Sequence, residues 1–201
     1  MEGDHPLNLL AFDASGRRAG VSIWSGGRLL FSRESARADG RKEELHAELA
    51  AAMKETRLKF SNLDGVVVGL GPGSFTGLRI AVTTAKTLAW SGKVQFFGYS
   101  TLEAIAAASS NKQDRVVMEA GRGNVYTASY AGSPGKTWRV VRKPQISKKT
   151  VKLSLTLVLP ANQISDALIE LALHNPKQGK MNPLKAEPLY LYPRDCNVTI
   201  A

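Results

Sequence analysis

Gly69-Leu70-Gly71-Pro72-Gly73-Ser74-Phe75-Thr76-Gly77-Leu78-Arg79 leaves the apolar, β-branched run Asp64-Gly65-Val66-Val67-Val68 and enters Ile80 to Trp90, a stretch of helical length with small and apolar residues on almost every face. That order reads as strand, glycine turn and helix. Three familiar loops fail against it by spacing. A phosphate-binding Walker loop needs four residues between its glycines and then Lys with Ser or Thr, whereas Gly73 and Gly77 enclose three and Leu78 follows. A dinucleotide fingerprint would need glycine at Thr76, and a nucleophile elbow would need glycine at Pro72. The plain alternative is that these glycines permit positive φ and close packing of strand on helix.

Outward from the loop, the chain is organised as α/β. Leu7 to Asp13, Val21 to Trp24 and Arg28 to Ser32 read as three strands joined by the turns Gly16–Gly20 and Ser25–Gly27. Arg41 to Arg57 is helical, with Leu45, Leu49 and Met53 at four-residue steps and alanines in the neighbouring rows. Val94 to Tyr99 is a further strand, and Ser100 with Glu103 three residues on marks a helix start, the helix running to Ala108. Arg115–Glu119 and Asn124–Tyr130 read as a hairpin around Gly121-Arg122-Gly123. Beyond Lys136 the pattern weakens to Arg139–Val141, the alternating Leu153, Leu155, Leu157 and Leu159, and a helix from Ser165 to Leu173. A break near 105–112 divides the chain into 1–108 and a smaller unit, 109–201.

At 201 residues, 43% hydrophobic and 22% charged, the chain has ordinary globular composition and enough length for a core. One cysteine, Cys196, excludes an intrachain disulfide and any multi-cysteine metal site. Met1 to Pro6 lacks the basic start and apolar core of a signal peptide, and apolar runs stay short of the roughly 18 residues that read as a membrane span, so a cytoplasmic location is expected. The formal charge is +10, and no acidic residue stands between Glu119 and Asp166. Arg139, Arg142, Lys143, Lys148, Lys149 and Lys152 lie there, either as a solvated face or as a field for an acidic partner or a nucleic-acid backbone. His5, His46 and His174 are isolated in sequence, so no metal site is expected.

Asp13-Ala14-Ser15, Val21 to Trp24, the Gly71-Pro72-Gly73-Ser74-Phe75-Thr76-Gly77-Leu78-Arg79 loop and Gly98 to Leu102 together resemble the TsaB (YeaZ) family, the non-catalytic subunit of the bacterial machinery that makes threonylcarbamoyladenosine in tRNA. The likeness is densest over 8–105 and resumes in Glu119–Tyr126 and Pro188–Pro193. It implies an actin-like, Hsp70-like ATPase (ASKHA) fold of two unequal lobes, with Asp13 and Ser15 at a degenerate phosphate-loop position. The metal-binding His-x-x-x-His pair of the catalytic relative TsaD is missing, since Lys42 and Ala50 stand four residues either side of His46. What the resemblance implies instead is association with a TsaD-like catalytic subunit and a TsaE-like ATPase, or a homodimer when alone. The contact is expected on two helices, through Leu45, His46, Leu49, Ala50 and Met53 on the first and Thr76, Arg79, Ile80, Thr83 and Lys86 on the second. No cofactor is required of this chain, while ATP or ADP at the subunit junction is allowed for, and tRNA contact is expected to be indirect. The rival reading is a small ATPase or kinase of the same fold acting alone.

Overall fold

Alternation decides the layering. Leu10, Phe12, Val66 and Val68 point to one face of a sheet while Leu9, Ala11 and Val67 point to the other, all of them buried. The computed structural model describes residues 7–35, 44–109, 115–132, 139–148 and 159–192. β1 (Leu9–Asp13), β2 (Gly20–Ser25) and β3 (Arg28–Glu34) form the expected antiparallel meander. β4 (Gly65–Gly69) and β5 (Gln95–Tyr99) add in parallel, giving the order β3-β2-β1-β4-β5. Parallel neighbours need crossovers, which α1 (Glu44–Thr56) and α2 (Phe75–Gly92) supply on one face. Their buried sides, Leu45, Leu49, Ala52 and Met53 with Ala81, Val82, Ala85 and Ala89, cover Leu10, Phe12, Val66 and Val68.

The other face is covered by α3 (Thr101–Ala108) and α4 (Ala161–His174). A second, antiparallel sheet of β6 (Arg115–Gly121), β7 (Asn124–Ala131) and β8 (Arg139–Lys148) sends Val116, Tyr126, Ala128 and Tyr130 into the same core. The hairpin turns at Arg122 and Gly123 with positive φ, where the sequence places it.

Two expectations need correction. α4 begins at Ala161, four residues before Ser165, because Pro160 serves as its N-cap residue. β8 runs ten residues where only Arg139–Val141 read as strand, because its bulges against β7 break the alternation. Past residue 109 the chain returns to the first sheet, where α4 packs on β1, β2, β3 and β4. The tail returns there too: after α5 (Pro176–Gly179), Lys180 bridges Phe97, Met181 N donates to Phe96 O, and Leu189 N donates to Leu70 O. Residues 41–43, where the sequence reads as helix, Leu153–Leu157 and Cys196 lie outside the described residues.

Candidate functional site

Asp13 closes β1 and is 1% exposed. Its Oδ1 accepts from Ser15 N at 2.8 Å and Ser15 Oγ at 2.6 Å, and its Oδ2 accepts from Thr101 Oγ1 at 2.7 Å. Thr101 Oγ1 accepts in turn from Gly71 N at 3.2 Å, and Ser15 O accepts from Ser74 N at 2.7 Å. The signature loop therefore lies directly on the β1–β2 turn. A Cβ on Gly73 would fall 2.5 Å from Ser15 O, and one on Gly77 1.9 Å from Ala14 O, while Gly71 has φ +97°. Ser74 caps α2, its hydroxyl accepting from Gly77 N at 3.3 Å. The plain reading of the glycines, close packing, accounts for every one of these contacts; Pro72 is buried and follows a cis bond.

Beside Asp13 opens a cleft of about 880 Å³ bounded by the Ser15–Ala19 turn, Glu44, Glu119 and the start of α4. Two of its groups that attract anions are engaged from within: Ala161 N, at the N-terminus of α4, donates to Glu34 Oε2 at 3.0 Å, and Arg18 Nη1 donates to Glu34 Oε1 at 3.2 Å. Among the described residues no three His, Cys, Asp or Glu side chains converge on a point.

The second feature is the outer face of α1 and α2, joined by His46 Nε2 and Thr84 Oγ1 at 3.0 Å. Of the residues chosen from sequence, Thr76, Arg79 and Thr83 on α2 and His46 and Ala50 on α1 are exposed, and Ile80 is half-buried. Leu45, Leu49 and Met53 are not on that surface; they are 2%, 4% and 7% exposed and face the sheet. Their four-residue spacing marked the buried side of α1, and the sheet itself covers it. Lys86 is also turned aside, its Nζ donating to Ala186 O at 3.1 Å. Sequence reasoning did not single out Trp90, 70% exposed on the same helical line as Thr76, Thr83 and Thr87, although its seven-residue step from Thr83 was the available signal. Phe75, 58% exposed, packs against Tyr190 at 4.9 Å between ring centres, and the Arg79 guanidinium lies 5.5 Å from the Phe75 ring. A groove of about 680 Å³ runs from Phe75 past Ile80 to Leu88.

Arg139, Arg142, Lys143 and Lys148 are exposed on β8, whose only strand partner among the described residues is β7; Lys149 and Lys152 lie outside them. Cations, Pro144 and bulges are also what protects an open sheet edge from pairing with another chain, so the charge alone assigns no ligand. Two carboxyls, one buried and one half-buried, stand apart from both features. Glu103, 4% exposed, accepts from Gln178 Nε2 at 2.7 Å, and burial pushes its carboxyl up to about 7. Asp166 accepts from the Ser22 and Ser32 hydroxyls, holding α4 to β2 and β3, and burial raises it as well. No helix of the described residues is long and apolar enough to cross a membrane.

A family model described as TsaD, tRNA N6-adenosine threonylcarbamoyltransferase, matches residues 38–182. The tRNA threonylcarbamoyladenosine biosynthesis protein TsaB of Bacillus subtilis (strain 168) is 43% identical over 82 residues, 40% of this chain and 36% of that protein. The protein of the same name from Escherichia coli (strain K12) is 26% identical over 149 residues, 70% of this chain and 64% of that one. The chain thus spans less than two thirds of either relative. A solved structure described as YeaZ from Pseudomonas aeruginosa superposes with a TM-score of 0.76 at 20% identity, covering 92% of this chain and 100% of that one, which shows the fold. The α/β, actin-like architecture expected from the sequence is the one found.

Proposed function

Because this chain belongs to the TsaB/YeaZ family, within the wider group that the TsaD model describes, we propose that it is a non-catalytic scaffold and activator in the N6-threonylcarbamoylation of tRNA adenosine 37. It docks a TsaD-like threonylcarbamoyltransferase through the outer face of α1 and α2. The observation that carries the reading is the surface of α2: Thr76, Thr83, Thr87 and Trp90 face outward with Arg79 as their cation, where an unpartnered helix would carry several charges. Exposed Trp and Arg are the residue types that carry protein contacts. Phe75 and Tyr190 extend the surface at the N-terminal end of the helix.

A second copy occupies the same face when the catalytic subunit is absent, and a TsaE-like ATPase joins the assembled pair. The tRNA meets β8 only as a charged backbone brought near by the partner. On this reading the protein works in the cytoplasm. Co-expression of the full chain with the TsaD-like protein of its own genome tests the reading: a pair that co-purifies and forms threonylcarbamoyladenosine in tRNA, with neither protein active alone, is the expected result. Modification by the TsaD-like protein at the same rate without this chain contradicts it.

A further inference from the structure

The fold places Asp13 where a working ATPase of this architecture aims a carboxylate at nucleotide phosphates, yet the geometry points to another use. We infer that Asp13 is a positioning residue that fastens the Gly71–Arg79 loop, and with it the docking helix α2, and that the cleft beside it takes no metal-bound nucleotide. The consequence for docking rests on the function proposed above; the fastening itself does not.

Each oxygen of the buried carboxylate is already an acceptor, Oδ1 for the Ser15 amide and hydroxyl and Oδ2 for the Thr101 hydroxyl. A cation would have to displace these donors, and a Cβ on Gly69 would lie 1.8 Å from Oδ2, so the chain closes that side. Both donor residues also hold the loop, Thr101 through Gly71 N and Ser15 through Ser74 N. Removing the carboxylate therefore loosens two attachments at once. The cleft is unsuited to a polyphosphate on separate grounds. Glu34 already accepts from Ala161 N at the start of α4 and from Arg18, and Glu44 and Glu119 line the same space as Arg17.

Hydrogen exchange on the full chain reads the fastening. Thr101→Val, which keeps shape but removes the shared hydroxyl, is expected to speed exchange of residues 70–80 about tenfold while β1 and β4 stay protected. Thr101→Ser retains the hydroxyl and is expected to match wild type, a rescue that simple loss of packing would not give. Asp13→Ala is expected to behave as Thr101→Val; if it fails to fold, the threonine pair decides. Wild-type exchange rates in Thr101→Val would overturn the inference. So would binding of Mg–ADP or Mg–ATP to the wild-type chain with a dissociation constant below about 1 mM, measured by titration calorimetry. In the assembled pair, Thr101→Val is expected to weaken partner affinity about tenfold; unchanged affinity overturns the link to docking. A wild-type chain that binds no TsaD-like protein would remove the proposed function while leaving the exchange result decisive for Asp13.

Discussion

Gly77 shows how a residue that suggests a ligand in sequence serves packing in the fold. A methyl group there would overlap the Ala14 carbonyl, a backbone atom that cannot swing aside. Gly77→Ala is accordingly expected to destabilise the protein by about 2 kcal/mol or more, read as a lower urea midpoint at constant slope. Glu103 gives a second expectation. Its folded carboxyl titrates at about 7 against an ordinary 4.5 because burial disfavours the charge, so the folded state holds the proton more tightly than the unfolded one. Stability from this group is complete below about 4.5 and is lost as the pH rises through about 7, a change on the order of 3 kcal/mol. Wild type should lose stability between pH 4.5 and 8 and Glu103→Gln should lose markedly less; equal losses in denaturant titrations would contradict this. Glu103 was legible in sequence only as a helix-start residue, because α4, which packs on its helix, and its partner Gln178 on α5 are both distant in sequence.

At the scale of elements, the sequence carried the order of the first sheet well, since β1, β4 and β5 are short apolar runs and α1 and α2 have clear faces. It misassigned which face of α1 is free. Leu45, Leu49 and Met53 announce an apolar stripe, and periodicity cannot say whether a sheet of the same chain or another molecule covers it. The structure answers with the sheet. Leu49→Arg is therefore a folding mutation rather than an interface probe, because it puts a charge into a site 4% exposed. Trp90→Ala is the corresponding probe on α2. It should leave thermal stability unchanged and weaken association with the TsaD-like protein by about 2 kcal/mol, roughly thirtyfold in affinity. An affinity equal to wild type in calorimetry would remove Trp90 from the contact.

Over the whole molecule, long-range returns were what the sequence hid. α4 belongs to the first sheet although more than a hundred residues separate it from β2, and it is held there by Asp166 and the Ser22 and Ser32 hydroxyls, a pairing no local pattern announces. The tail likewise reaches back to Leu70 and Phe75, so the end of the described chain braces the Gly71–Arg79 loop. The first sheet and its two covering layers leave α2 with an uncharged outer line, the surface on which the proposed function rests. The most direct test is the affinity of the full chain for its genome's TsaD-like protein, wild type against Thr83→Arg, with thermal melting in parallel. Thr83 is exposed at the middle of α2, so the arginine is tolerated by the fold. A wild-type complex that Thr83→Arg abolishes at an unchanged melting temperature is the expected result; a complex equally tight with the arginine in place would rule out docking through α2.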